Sequence, residues 1–180
     1  MMTTSNHNTI ANCCHFEQSP GEEMFLNDVW SFYFHDPYSS EWDIYSYYFI
    51  NNISTIEDFV RNFKVFEDIF HKGMFFFMRE HITPRWEDEH NVNGGCFSLK
   101  VSTEKLIDTL FKILSDLFGE NMAINVEHSM NINGVSISPK KNSHIIRIWI
   151  KDSSLGNKDL YNIKHIKYSP IIYKQHKDCI

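Results

Sequence analysis

The sequence predicts an α+β fold, in which several antiparallel strands form one sheet and two or three amphipathic helices pack on one of its faces. Three observations predict it. Several segments alternate apolar and polar residues, as half-buried strands do. Two longer segments repeat apolar residues every three or four positions, as helices with one buried face do. Helices grouped on one face leave the other face of the sheet partly open.

The first predicted strands form a hairpin. Residues 29–35 alternate, with Trp30 on the apolar side, and 43–50 form a second, aromatic-rich strand. The loop between them ends at Trp42. A tryptophan at a loop end is either a lid on the core or an exposed platform, and this position alone favours the lid.

A capping box at Ser54-Thr55-Ile56-Glu57 predicts the start of the first helix, which ends at Lys72-Gly73. Its core-facing stripe consists of Phe59, Phe63, Phe66 and Phe70. Ser102 is the predicted N-cap of a second helix through Phe118. The remaining strands are predicted at 74–78, 96–101, 124–127, 134–138, 144–150 and 171–173, with a turn at 139–143 and a weak helical pattern over 153–169. In the strand 144–150, Arg147 and Trp149 lie opposite an isoleucine face.

The chain is long enough for one domain with a proper core, because it has 180 residues of which 42% are hydrophobic. We expect residues 1–21 to be a flexible tail and 22–180 to be this single domain. No apolar run is long enough to span a membrane, and no secretory signal is visible. Four cysteines, at 13, 14, 96 and 179, form no disulfide framework, which favours a reducing, cytoplasmic location. Cys13, Cys14 and His15 lack a second ligand pair, so we expect no metal site.

Charge is distributed unevenly along the chain. Residues 1–139 contain 8 Lys/Arg and 20 Asp/Glu, whereas 140–180 contain 9 and 3. An acidic body with a basic C-terminal section favours a small anionic target over nonspecific RNA coating. The alternative is a solvated surface whose charges segregate by chance.

The loop 84–95 is the most informative stretch. Pro84 stiffens its entry, and Gly94 and Gly95 are expected to provide backbone angles that other residues resist. An exposed Trp86 can stack on a flat ring, while the Glu87 carboxylate accepts hydrogen bonds from adjacent N–H donors such as those of guanine. The alternative is a surface turn whose tryptophan fills the core.

The run Pro-x-Trp-Glu-Asp-Glu-x-Asn-x-x-Gly-Gly, residues 84–95, resembles the signature of the eukaryotic translation initiation factor 4E family, the messenger-RNA cap-binding proteins. The segments 30–34, 54–59 and 118–120, and Gly134 followed by Trp149, are similar to the family in order and spacing, so the resemblance covers 26–149. It implies a divergent member, cellular or viral. It also implies a curved antiparallel sheet, about three helices on the convex face and a cap-binding slot on the concave side.

The resemblance also implies roles for individual residues. Trp42 and Trp86 would sandwich the 7-methylguanine base, Glu87 would accept from its N–H edge, and Trp149 would pack near the methyl group. Lys140 and Lys141 would bind the phosphates. The family usually has basic residues where this chain has Cys96 and Asn142, and a later one near Ile145. The candidates for replacing them are Lys141, His144, Arg147 and Lys174.

At the surface that binds partner proteins in the family, this chain differs more from the family pattern. Its residues here would be Leu26, Ile56, Val60, Phe111 and Leu114. The chain has Met24-Phe25-Leu26 where the family has His-Pro-Leu, and Val60 where the family has an exposed tryptophan. Binding of a scaffold of the initiation factor 4G type, through its Tyr-x-x-x-x-Leu motif, is therefore open, and a divergent partner is an alternative.

Three functions follow from these observations. The first is an initiation factor, monomeric on its own, that recruits capped messenger RNA for translation. The second is a cap-binding translational repressor or decoy that does not engage the scaffold. The third is a cap-processing enzyme, which we do not expect, because the chain shows no nucleophile–base pair, no phosphate-binding loop and no metal-binding repeat of acids. No cofactor is expected.

Overall fold

A computed structural model describes residues 23–163 and 170–179. It contains one antiparallel sheet whose strand order is β2-β1-β3-β5-β6-β4-β7. The strands are β1 (Phe25–His35), β2 (Tyr47–Thr55), β3 (Met74–Arg79), β4 (Gly95–Val101), β5 (Ile132–Lys140), β6 (Ser143–Ile150) and β7 (Ile172–Gln175). The expected tail at 1–21 lies outside the described residues.

Two α-helices, α1 (Ile56–Phe66) and α2 (Leu106–Phe118), are present in the described ranges. The longest 3-10 segment, Val126–Asn131, is a third helical element. The predicted α+β class with a curved antiparallel sheet is confirmed. In 23–163 and 170–179, no helix has the length and apolar character needed to cross a membrane.

The two faces of the sheet differ because side chains alternate along every strand. One face packs against both helices and forms the main core, to which the strands contribute Trp30, Phe32, Phe75, Phe77, Phe97, Leu99, Val135, Ile137, Ile146 and Ile148. A smaller cluster on the other face contains Phe76, Met78, Ile82, Cys96 and Trp149. Arg147 shares this second face with Trp149, as the sequence pattern predicts.

The first helix starts one residue later than the predicted capping box. Thr55 is the N-cap, and its hydroxyl oxygen accepts from the backbone N–H of Asp58 at 3.0 Å. The Asp58 carboxylate in turn accepts from the backbone N–H of Ser54 at 3.3 Å. The box is therefore Thr55 with Asp58, because strand β2 continues through Thr55 and the helix begins only after it. The helix also ends earlier, at Phe66, and turns carry the buried Phe70 to the core.

Three other predicted elements are wrong in type or extent. The strand predicted from 43 starts at Tyr47, because Asp43 caps a 3-10 turn, Ile44–Ser46, by accepting two backbone N–H bonds. The strand predicted at 124–127 is replaced by the 3-10 segment that Asn125 caps. The weak helix over 153–169 contains two 3-10 turns, and 164–169 lie outside the described residues.

A buried arginine joins the strands to the end of α2. Arg79 is 6% exposed, and its guanidinium lies 4.6 Å from the ring centroid of Trp30. It forms ion pairs with Asp28 and Glu120, and it donates to two backbone carbonyl groups, those of Ile132 and Ser129. Every charge in this cluster therefore has a partner, as buried charges require.

We expect the substitution Arg79→Met to lower the free energy of unfolding by about 3–5 kcal/mol, because it leaves two carboxylates and two carbonyl groups without their donor. The matched control is Arg61→Met, which removes an arginine whose side chain is 68% exposed and paired with Asp58. This control should change stability by less than about 1 kcal/mol. Urea unfolding measures both, and equal effects would contradict the assigned role of Arg79.

Candidate functional site: an aromatic slot above the uncovered face

Trp42 is an exposed platform, so the lid favoured by its position alone is wrong. The residue lies in the connection between β1 and β2, and it is 48% exposed. One face of the indole stacks on the buried His35 ring, with centroids 4.2 Å apart and planes 11° apart. The His35 Nε2 atom is 2.9 Å from the carbonyl oxygen of Glu41, which fixes the orientation of that ring. The indole is therefore supported from one side.

Trp86 also lies on a loop and is 37% exposed. The following Glu87 carboxylate is 3.3 Å from the Arg85 guanidinium, and both side chains are partly exposed. This pairing restricts the orientation of the Glu87 carboxylate, while its remaining lone pairs can still accept hydrogen bonds.

The carboxylate of Asp88 holds the start of this loop. It accepts from the backbone N–H and the hydroxyl of Thr83, at 2.9 and 2.6 Å, and from the backbone N–H of His90 at 2.9 Å. Burial raises the pKa of Asp88, but these hydrogen bonds to the ionised form outweigh burial, so its pKa lies below the usual value.

Two buried amides attach the loop to the sheet. Asn91, which is fully buried, donates to the carbonyl oxygens of Thr83 and Arg85 at 3.0 and 2.7 Å. Asn133 of β5 donates to the Asn91 side-chain oxygen at 2.9 Å and to the carbonyl oxygen of His90 at 2.7 Å. The backbone on both sides of Trp86 is thereby tied to the sheet beneath it.

Gly94 and Gly95 serve a purpose different from the predicted one. Neither has a positive φ; both instead allow close backbone approach. A Cβ on Gly94 would lie 1.8 Å from the carbonyl oxygen of Ile150, and one on Gly95 would lie 2.4 Å from that of Lys174. The loop exit is therefore packed directly against β6 and β7, where only glycine is tolerated.

Tyr47 connects the two tryptophan loops. Its ring centroid is 6.4 Å from that of Trp42. Burial and then the negative charge of Glu87 raise the pKa of Tyr47 to about 12, and Arg85 opposes them. Tyr47 is therefore near both Trp42 and the Glu87 carboxylate. It packs on the face of the sheet opposite the helices, the uncovered face, so both loops meet this part of that face.

Trp149 lies in the sheet below these loops and is 7% exposed. Its indole N–H donates to the Ser136 hydroxyl oxygen at 2.9 Å. The rings of Phe76 and His176 lie 6.5 and 5.1 Å from it, centroid to centroid. Burial lowers the pKa of His176, so this neighbour favours the neutral form. Trp149 therefore lies in the uncovered face of the sheet, where Phe76 and Tyr47 connect it to Trp42.

The predicted phosphate ligands lie at the turn between β5 and β6. Lys140 is the last residue of β5, Lys141 follows it in the turn, and both are exposed. His144 is excluded as a replacement for the missing basic phosphate ligands. It is 3% exposed, and its Nε2 atom lies 3.2 Å from the carbonyl oxygen of His71.

The predicted partner surface lies on the opposite side of the sheet, over the helices. Ile56 and Phe111 are 38% and 42% exposed, and Leu26 and Val60 are half-buried. Leu114 does not belong to this surface, because it is fully buried in the main core. Leu114 and Phe111 lie on the same side of α2. Phe111, however, lies at the edge of the core, where its ring stacks on that of Phe59 with 5.3 Å between the centroids.

Sequence reasoning missed the residues that support the slot: His35, Tyr47, Asn91 and Asn133. The signature run includes Asn91, but it predicted roles only for Trp86 and Glu87. Asn91 carried one usable signal, since an Asn within a loop rich in turn residues commonly bonds to backbone groups. For Asn133 the sequence held no such signal, because its partner lies 42 residues away.

The fold and the loops define a single-sheet α+β protein with two exposed indoles above the face that the helices leave uncovered. The family model for eukaryotic initiation factor 4E matches residues 25–180. The chain therefore belongs to the eukaryotic initiation factor 4E family.

Its curated relatives agree with this assignment. A mimivirus (Acanthamoeba polyphaga mimivirus) homolog of initiation factor 4E is 30% identical over 79 residues, which cover 44% of this chain and 29% of that protein. Barley (Hordeum vulgare) initiation factor 4E-1 is 27% identical over 139 residues, 72% of this chain and 61% of that protein. The chain thus matches less than two thirds of the length of either relative.

Two solved structures share the fold. The complex of C. elegans eIF4E-3 with the 4E-binding protein Mextli and a cap analog superimposes with a TM-score of 0.76 at 19% identity, covering 88% of this chain and 95% of that one. Schistosome eIF4E, complexed with m7GpppG and 4E-BP, gives a TM-score of 0.75 at 22% identity, with 87% and 91% covered.

We expect Asp88→Asn to lower the free energy of unfolding by about 1–3 kcal/mol near neutral pH, because an amide cannot accept all the bonds that the carboxylate accepts. A carboxylate with a lowered pKa stabilises the fold above its unfolded pKa of about 3.9, and this contribution is lost as pH falls through the folded pKa. The difference between wild type and variant should therefore be constant above about pH 5 and shrink below about pH 4.

Urea unfolding at a series of pH values measures this difference. The matched control is Glu89→Gln at the exposed neighbour, which should match wild type throughout. A wild-type advantage over Asp88→Asn that persists unchanged at low pH would contradict the role given to the ionised carboxylate.

Proposed function

We propose that this protein binds the 7-methylguanosine cap of messenger RNA and acts in translation initiation in the cytoplasm, as a monomer without a cofactor and without catalysis. The observation that carries the proposal is that two partly exposed indoles, Trp42 and Trp86, lie on loops that Tyr47 relates to each other, since Tyr47 neighbours Trp42 and senses the charge of Glu87. Family membership and the shared fold support it. The two solved complexes contain a cap analog and m7GpppG, respectively.

The two indoles suit a methylated base. Methylation at N7 gives guanine a positive charge, so stacking against an electron-rich ring gains a cation–π contribution. Each stack contributes about 1–3 kcal/mol. Trp42 already stacks on His35 with one face, which leaves its other face for a ligand.

Glu87 provides selectivity for guanine. Its carboxylate would accept hydrogen bonds from the N1 and N2 donors of the base, a pair that adenine does not offer. The backbone N–H of Trp86 would bind the guanine carbonyl group. Trp149 in the uncovered face would pack near the N7-methyl group, and Lys140 and Lys141 would contact the phosphates.

Titration with 7-methyl-GTP should quench tryptophan fluorescence, with a dissociation constant near or below about 1 μM, and GTP should bind much more weakly. We expect Trp42→Ala and Trp86→Ala each to weaken 7-methyl-GTP binding about tenfold to a hundredfold, because each removes one stack. The control is Tyr38→Ala, which removes an aromatic side chain that is 92% exposed in the Trp42 loop. Equal, weak binding of both nucleotides to the wild-type protein would refute cap binding.

We also propose that the helix-covered side binds a scaffold protein or another 4E-binding protein through Ile56, Phe111, Val60 and Leu26. The first two are exposed apolar side chains, and Phe25, which pairs with Thr55 next to Ile56, is 75% exposed. The two solved relatives are complexed with Mextli and 4E-BP, respectively. The alternative function, a cap-binding repressor or decoy, predicts no binding of the scaffold motif.

A peptide that contains the Tyr-x-x-x-x-Leu motif distinguishes these two functions. If the protein recruits messages through a scaffold, the peptide should bind, and Phe111→Ala should weaken binding about tenfold because a buried aromatic contact is lost. The control is Val65→Ala, an exposed apolar residue on α1 half a helical turn from the Ile56 side. Isothermal titration calorimetry measures both, and absence of binding to the wild-type protein would favour the repressor or decoy.

A further inference from the structure

Arg147 is a half-buried cation on the uncovered face. Its neighbours in register are Ser136 on β5 and Ser98 on β4. Among residues 23–163 and 170–179, its side chain makes one hydrogen bond, from Nη1 to the Ser138 hydroxyl oxygen at 3.3 Å, and no ion pair. A guanidinium has five N–H donors, so most of them are unused. Arg79 on β3 is buried more deeply than Arg147, and it is paired with two carboxylates.

Arg147 lies between Trp149 and the basic turn. Trp149 is two residues away on the same face, which is about 7 Å along the strand. In the other direction, β6 begins at Ser143, which pairs with Lys140. A chain of phosphates that runs from a base near Trp149 toward Lys140 and Lys141 therefore passes over Arg147.

The other candidates are less well placed. Cys96 is buried, and its sulfur is 3.9 Å from His176 Nε2, while His144 is buried against a backbone carbonyl group. Lys174 of β7 pairs with Cys96 of β4. It therefore lies two strands from Trp149, which is about 9–10 Å across the sheet. Arg147 is on the same strand as Trp149.

We propose that Arg147 binds a phosphate of the 5′ triphosphate bridge and supplies the positive charge that Cys96, Asn142 and Ile145 do not provide. This inference rests on the proposed cap-binding function and names a residue that determines its affinity for phosphate. The planar guanidinium offers two parallel N–H donors to one phosphate, and its one recorded hydrogen bond, to the Ser138 hydroxyl oxygen, leaves donors for that contact. Lys100, which is on the same face in β4 opposite Ile145, adds to the positive potential.

The test compares ligands that share the base and differ in phosphate: 7-methylguanosine, 7-methyl-GMP and 7-methyl-GTP, each titrated by tryptophan fluorescence. We expect Arg147→Met to weaken 7-methyl-GTP binding at least tenfold and to leave 7-methylguanosine binding within twofold of wild type. Arg147→Lys should recover part of the loss, because it keeps the charge without the fork. The matched control is Lys112→Met on the exposed side of α2, which should bind all three ligands as wild type does.

Two results would overturn the inference: unchanged 7-methyl-GTP binding by Arg147→Met, or an equal loss for the nucleoside and the triphosphate, which would make Arg147 a structural part of the base site. If circular dichroism shows that Arg147→Met is unfolded, Arg147→Lys decides, since it must still weaken the triphosphate selectively. Failure of cap binding itself is distinguishable, because the wild-type protein would then bind 7-methyl-GTP no better than GTP.

Discussion

The alternation of side chains along the strands is the constraint on which this molecule depends. Each strand of one sheet presents every second residue to the helices and the residues between them to the opposite side. Shifting β6 by one residue would move Ile146 and Ile148 out of the core and turn Trp149 and Arg147 into it. The same hydrophobic burial that fixes the core therefore fixes which aromatic and basic side chains meet on the uncovered face.

The loops above that face are ordered by polar groups. Asp88 and Asn91 satisfy the backbone of 83–91, and Asn133 joins them to β5. Buried amides that are fully bonded rigidify a segment, whereas the same groups left unpaired would destabilise it. The Trp86 indole is thus carried by a segment without regular secondary structure. The residue that bonds this segment to the sheet, Asn133, lies more than 40 residues further along the chain.

Sequence patterns predicted the class, both α-helices and most strands, because burial of apolar faces leaves a strong periodic signal. They also predicted that Trp149 and Arg147 share a face. Boundaries such as 43–47 and the strand at 124–127 were wrong, because local Asp and Asn caps override short apolar runs. Leu114 and Phe111 look alike in periodicity, and only packing separates the core residue from the one at its rim. The supports of the slot depend on long-range contacts that no local pattern encodes.

The sheet separates the slot from the helix surface by the full thickness of the core, and this separation has a consequence for divergence. The Phe111 ring packs against Phe59 and Phe63, whereas the side chains of Asp88 and Asn91 bond within their own loop and to β5. Substitutions more than about 7–10 Å apart without shared partners act nearly independently on stability. Substitutions on the helix surface can therefore accumulate with little effect on the stability of the loops on the opposite side.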